Sequence, residues 1–249
     1  MAAFFLDLES ELLRLQAELR DGPYQPGPYR QFWIRDRKPR LISAAPFRDR
    51  VAHHAVMAPL EPWLDRRFIA HSYACRPGKG AHRAVDYYQR QARRYPCVLK
   101  VDIARYFPSI DRAILSEQLR RYVADPALLG VLERILDASP SDGGIPIGNL
   151  TSQIFANLYL NDIDHWLMGE PACGAYLRYV DDLYLLGDRR ADLWRLRDQL
   201  ALRLRALGLE IHPANRNRNR PSNRNNNNGF RLVQAPQVPE WSRPRSRPE

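Results

Sequence analysis

Two adjacent carboxylates, Asp181 and Asp182, interrupt the apolar run Tyr-Leu-Arg-Tyr-Val-Asp-Asp-Leu-Tyr-Leu-Leu-Gly at 176–187. The alternation on both sides predicts two short strands joined by a tight turn, where aspartate is tolerated because it can bond its own backbone. A solvated turn would account for the dipeptide alone, but its charges need a partner. Like charges about 4 Å apart repel by roughly 1 kcal/mol in water and by about 4 kcal/mol at an effective dielectric of about 20. A divalent cation turns that repulsion into attraction, and hard cations such as Mg²⁺ favour carboxylate oxygens. A third acid, Asp102, ends the β-branched run Cys-Val-Leu-Lys-Val-Asp-Ile at 97–103, which predicts a buried strand. A strand-end Asp beside a hairpin Asp is what two-metal phosphoryl transfer requires. There, cations about 3.5–4 Å apart activate the attacking hydroxyl and hold the leaving phosphate.

The flanking residues predict the elements that must position these acids. Pro108 breaks the chain after the strand, and either Ser109 or Asp111 is placed to cap a helix over 111–123 whose apolar side is Ile114, Leu115, Leu119, Tyr122 and Val123. A helix over 127–137 follows. Thr151 then precedes Ile154, Phe155, Leu158, Tyr159, Ile163, Trp166 and Leu167, the pattern of one long amphipathic helix. Beyond the hairpin, Leu193, Leu196, Leu200, Leu204 and Leu207 share a helical face that Gly208 stops. Upstream, the pattern predicts a helix over 1–20, a Pro-rich link from Gly22 to Pro28, strand around 32–44, and helices around 48–62 and 80–94.

Three motifs, in order, carry a resemblance: Val-Asp-Ile-Ala-Arg-Tyr-Phe-Pro-Ser-Ile-Asp at 101–111, Gly-Ile-Pro-Ile-Gly-Asn-Leu-Thr-Ser-Gln at 144–153, and Tyr-Val-Asp-Asp at 179–182. From about residue 30 to residue 212 the chain resembles the reverse transcriptases of bacterial retroelements. The resemblance implies an α+β right-hand polymerase, with fingers at 29–95 and a palm at 96–213 whose antiparallel sheet packs on helices. An N-terminal helix and linker occupy 1–28, an Asn/Arg-rich disordered tail occupies 214–249, and the thumb is expected to be truncated or absent.

The same resemblance assigns roles. Asp102 and Asp181 would ligate two Mg²⁺ ions, with Asp182 assisting and the Ile103 carbonyl completing one shell. Phe107 would stack under the incoming sugar and exclude a 2′-hydroxyl, while Ile147 and Gly148 would lie at the nucleotide. Arg40 would grip the triphosphate, with Lys38 a second candidate; a guanidinium suits the task because its fork bonds phosphate oxygens in pairs. Arg48, Arg50, Arg76 and Lys79 match fingers segments that contact template, and Ser152, Gln153 and Tyr179 complete the template and primer set. The partners implied are an RNA template, a DNA or RNA primer and deoxynucleoside triphosphates.

Most of the family has Gln at the position of Ile147 and Ser-Pro where this chain has Ser152-Gln153. The variant is similar to the enzymes of diversity-generating retroelements, which copy a template-repeat RNA with errors opposite adenine and work with a basic, oligomeric accessory protein. An aliphatic residue removes a hydrogen-bonding group that would help discriminate substrates. The tail is consistent with this reading. Residues 215–228 hold eight Asn against three elsewhere, in a chain with 35 Arg and 3 Lys whose composition indicates a GC-rich gene. Asn codons are A-rich, so the expectation is a reading frame that runs into an A-rich template repeat. The alternatives are a thumb-less, catalytically silent RNA-binding remnant, and a group II intron or defence-type reverse transcriptase.

Composition sets limits. A chain of 249 residues with 45% hydrophobic content can bury a real core. Of the net charge of +10, eight Arg and two Glu from Ala214 onward contribute +6, so the remainder is only mildly basic. Three Cys and six His show no metal-type pairing. The N-terminal pattern is that of an amphipathic helix rather than a signal peptide or membrane span, and a cytoplasmic protein is the expectation.

Overall fold

A computed structural model describes residues 2–22, 24–35, 39–140, 143–212 and 230–234, with backbone alone for 2–3 and 230–234. It is a mixed α+β fold that divides into two compact units. The first comprises Met1–Ile69, Ala104–Asp162 and Leu204–Leu209; the second comprises Ala70–Ile103, Ile163–Arg203 and Glu210–Glu249. The chain leaves the second unit directly after its Asp102 strand.

The first unit opens with α1 (Ala2–Leu6) and α2 (Leu8–Asp21), followed by the hairpin β1 (Arg30–Arg35) and β2 (Pro39–Ala44), and α3 (Phe47–Asp65). The turn between Gly22 and α3 is tied by Asp49, which is buried and accepts from the Tyr24 hydroxyl at 3.0 Å and the Gly27 amide at 2.7 Å.

In the second unit, α4 (Ala81–Ala92) leads to β3 (Cys97–Asp102). Back in the first, α5 (Tyr106–Ser109), α6 (Arg112–Tyr122), α7 (Pro126–Asp137) and α8 (Leu150–Tyr159) follow. Of the two residues placed to cap α6, Asp111 does so: its carboxylate accepts from the Ala113 and Ile114 amides. Asp125 caps α7 in the same way, ahead of a Pro that needs no amide partner. The single long helix expected after Thr151 is two. α8 stops at Leu160, and α9 (Asn161–Gly169) begins with a buried Asn whose amide donates to the Tyr122 hydroxyl at 3.3 Å.

The second unit carries the sheet. β4 (Ala175–Tyr179) and β5 (Asp182–Gly187) form the expected hairpin, and α10 (Arg190–Ala206) follows. The four-stranded antiparallel sheet has the order β4-β5-β3-β6, where β6 is Phe230–Gln234. That strand lies in the segment read as a disordered tail. Its Phe-Arg-Leu-Val-Gln pattern suits a ladder, and it fills the edge of β3 that β5 leaves open. The rest of the tail, including the Asn-rich run, lies outside the described residues.

Register sorts the sheet into two faces. On one, successive cross-strand rows read Val98–Leu186–Ala175, Lys100–Tyr184–Leu177 and Asp102–Asp182–Tyr179. The first row packs with Tyr73, Ala84 and Tyr87 in a buried cluster, so α4 covers this end of the face. The rows grow more polar toward the β4–β5 turn. On the other face Leu99, Val101, Tyr176, Leu183 and Leu185 are buried.

Candidate active site

The three acids arrive by sheet register. Asp102 is the cross-strand partner of Asp182, and Asp181 occupies the two-residue turn with Val180. The Ile103 amide donates to the Asp181 carbonyl at 3.1 Å, and the Asp102 carbonyl accepts from the His212 amide at 2.8 Å. Val180 has φ +57, a left-handed conformation that is costly for a β-branched residue. A positive φ at the first turn position alone matches a hairpin turn in which glycine is favoured. Strain of this kind persists only where surrounding contacts over-determine it.

The electrostatics suit a cation. The Asp181 carboxyl is raised above its ordinary range, first by burial and then by the charges of Asp182 and Asp102, with its own backbone hydrogen bond and Lys100 opposing. The Lys100 ammonium sits 2.7 Å from Asp182. Burial alone would lower the Lys100 pKa; the bond and charge of Asp182 outweigh it and raise it. Among the described residues no group of three His, Cys, Asp or Glu side chains already converges at ligating distance. The donor chemistry suits a hard cation nonetheless, since it is all carboxylate oxygen and already holds one ammonium. Beside the acids lies a cavity of about 320 Å³ lined by Ala84, Val85, Tyr88, Leu177, Tyr179 and Tyr184, with Asp182 in its wall.

In the first unit, the residues assigned to the nucleotide are joined by backbone contacts. The Ile145 amide donates to the Phe107 carbonyl at 3.0 Å, and a Cβ on Gly144 (φ +72) would stand 2.5 Å from the carbonyl oxygens of Phe107 and Pro108. The Ser43 amide donates to the Ile147 carbonyl at 3.0 Å. The buried Asn149 side chain donates to the Ser43 carbonyl at 2.9 Å and accepts from the Ala45 amide at 3.3 Å. Phe107, the 144–149 loop and β2, which bears an exposed Arg40, thus form one frame. Lys38 lies outside the described residues.

A family model described as reverse transcriptase (RNA-dependent DNA polymerase) matches residues 34–215. The chain belongs to this family. Protein YkfC of Escherichia coli K12 is 28% identical over 202 residues, covering 75% of this chain and 50% of YkfC. Group II intron-encoded protein LtrA of Lactococcus lactis is 25% identical over 171 residues, covering 64% of this chain and 28% of LtrA. The chain therefore spans half or less of the length of these curated relatives. Its fold is similar to that of apo telomerase from Candida Tropicalis truncated from its C-terminal domain, with a TM-score of 0.57 at 12% identity over 81% of this chain and 53% of that one.

The residues expected at template and primer differ in exposure. Ser152 is buried, because α8 is enclosed nearly throughout, and Gln153 is the exposed position of that helix. Arg48 is committed to structure: it pairs with Glu18 and lies over the Tyr24 ring, tying α2 to α3. Arg50 is exposed over Phe47. Arg76 donates to the Ser72 carbonyl at 2.9 Å and Lys79 to the Ala70 carbonyl at 2.7 Å, so both shape the 70–80 loop. Tyr179 is exposed at the cavity. Sequence reasoning missed Lys100, whose signal was its place two residues before Asp102 on the same strand face, and Asn149, which sits inside a quoted motif. No helix among the described residues is long and apolar enough to cross a membrane.

Proposed function

We infer that the chain is an RNA-directed DNA polymerase that extends a primer on an RNA template by nucleotidyl transfer. The observation that carries this reading is the pairing of Asp102 with Asp182 across the ladder while Asp181 occupies a strained turn beside them. Asp102 and Asp181 would hold two Mg²⁺ ions, with Asp182 and the Ile103 carbonyl assisting. When bound, the ions activate the primer hydroxyl and offset charge on the leaving phosphate. The protein's own share is orientation. Arg40 binds the triphosphate, Phe107 supports the sugar, Gly148 lets the backbone approach, and Gln153 and Tyr179 contact template and primer. Lys100, 2.7 Å from Asp182, would balance the charge of that carboxylate. Mg²⁺-dependent primer extension on an RNA template tests the reading. Asp181→Ala is expected to lower the rate by about 10³-fold, the scale lost with a preorganised electrostatic group. Equal extension by that variant, or none by the wild-type chain supplied with accessory protein, would count against it.

Within this reading, Ile147 supports an enzyme of the diversity-generating retroelement type. Its carbonyl is used by Ser43 but its side chain offers no hydrogen bond to a nucleotide, which fits error-prone copying of a template repeat with a basic accessory partner. Similarity to LtrA favours a second reading, a group II intron type of enzyme. The error spectrum of Ile147→Gln distinguishes them: fewer errors opposite template adenine support the first, and an unchanged spectrum the second.

A further inference from the structure

On the face of the sheet opposite Asp102 and Asp182 lies an ion pair with no solvent exposure on either side chain, Arg178 of β4 with Asp164 of α9. Arg178 Nε donates to the two carboxylate oxygens at 2.8 and 3.0 Å, Nη2 donates to Oδ2 at 2.6 Å, and the Tyr176 hydroxyl donates to Oδ1 at 2.7 Å. Such a pair is a poor source of stability, because the cost of removing both charges from water offsets their attraction. Its geometry has another use. The remaining arm, Nη1, donates to the Val180 carbonyl at 3.1 Å.

That carbonyl belongs to the peptide joining Val180 to Asp181. The next peptide, from Asp181 to Asp182, is held by the Ile103 amide on the Asp181 carbonyl at 3.1 Å. Asp181 is therefore clamped on both flanks, and its Cα–Cβ direction is fixed. Val180 at φ +57 would otherwise relax, since its side chain disfavours that conformation. The Arg178 main chain is fixed too: its amide donates to the His71 carbonyl at 2.9 Å, and its carbonyl accepts from the Tyr73 amide at 3.0 Å.

We propose that Arg178, oriented by Asp164 and Tyr176, is a positioning residue that holds the Val180–Asp181 peptide and so aims the Asp181 carboxylate for metal binding. The proposal rests on Asp181 being a metal ligand, and the test separates the two. Mn²⁺ affinity is measured on the full chain by loss of the free-ion paramagnetic resonance signal, for wild type, Asp181→Ala and Arg178→Met/Asp164→Leu. The last removes both buried charges together, so neither is left unpaired. The expected result is a folded double variant with about tenfold or weaker Mn²⁺ affinity, the scale for outer partners of metal ligands. Excess Mg²⁺ should return its primer extension toward the wild-type rate, whereas Asp181→Ala should not recover. If Asp181→Ala binds Mn²⁺ like wild type, the metal-ligand reading fails and the proposal with it. If Asp181→Ala loses Mn²⁺ while the folded double variant keeps wild-type affinity, positioning alone is overturned. Should the double variant not fold, Tyr176→Phe decides, because it removes one hydrogen bond to Asp164 Oδ1, which keeps its bond from Arg178 Nε, and unpairs no charge. Weaker Mn²⁺ binding at an unchanged circular dichroism spectrum supports the proposal, and unchanged binding overturns it.

Discussion

The two compact units hold their candidate site residues by opposite means. In the second, a side chain holds the backbone: a buried guanidinium grips the carbonyl that sets Asp181, and a strained Val180 depends on it. In the first, backbone and a single amide hold the loop, through Ser43 to Ile147, Ile145 to Phe107, and Asn149 to Ser43 and Ala45. The lesson is about what can vary. A turn aimed by one buried side chain tolerates little change in that residue, whereas a loop stitched through its main chain can exchange side chains and keep its shape. Chemistry that must not move belongs to the first kind of support, and substrate preference can be tuned on the second.

Stability measurements can break that comparison. Arg178→Met leaves Asp164 charged and unpaired, and should cost about 3–5 kcal/mol in urea unfolding. Asn149→Ala strips two backbone groups of their partner and should cost about 1–3 kcal/mol. Equal losses would erase the distinction. Within the first unit, Gly144→Ala should disturb the loop, since its Cβ would meet the Phe107 and Pro108 carbonyls at 2.5 Å from a residue at φ +72; a loss of roughly 1–3 kcal/mol fits a strained backbone. Ile147→Gln, three residues on, should change stability by under about 1 kcal/mol while altering nucleotide choice. A large destabilisation by Ile147→Gln would show that the loop is held by its side chains after all.

The smallest effects are in pH, and they run in opposite directions. The buried His53 imidazole of the first unit, whose ring nitrogens have no hydrogen-bond partner among the described residues, is pushed down to about 4 by burial, against the charge of Asp49. The unfolded chain therefore takes up that proton first, and the stability present above pH 6.5 is lost as pH falls toward 4. The raised Asp181 carboxyl does the reverse: with chelator present, its ionisation costs stability as pH rises from the ordinary carboxylate range through its raised value. Thermal melts in EDTA should show His53→Leu flattening the acid side. Asp181→Asn should melt roughly 1–3 °C higher near neutral pH, an advantage that added Mg²⁺ reverses. No gain from Asp181→Asn in EDTA would mean that neither burial nor the neighbouring carboxylates penalise the ionised side chain.

Much of this was legible in the sequence, for reasons particular to each element. β3 and the β4–β5 hairpin were readable because β-branched and apolar alternation specifies a buried ladder, and α6 because Asp111 follows a Pro break. The break at Leu160 was hidden, since Tyr159 and Ile163 keep helical spacing across it while Asn161 is taken by Tyr122. β6 was masked by the polar composition around it. Arg178 was overlooked because a cation in a strand reads as solvated; only the long-range partner Asp164 reveals that it is enclosed. The burial of Ser152 within α8 and the pairing of Arg48 with Glu18 were likewise hidden, since both depend on packing that a motif match does not specify.

The central claim is that Asp102, Asp181 and Asp182 gather divalent cations, and affinity cleavage tests it directly. Fe²⁺ replaces Mg²⁺ on the full chain, ascorbate and peroxide generate hydroxyl radical at the bound ion, and the fragments are mapped by mass spectrometry. Backbone scission at 102–103 and 180–182, suppressed by excess Mg²⁺ and absent in Asp181→Ala, is the expected pattern. Cleavage confined to other segments, or a pattern that Asp181→Ala leaves unchanged, would contradict the account.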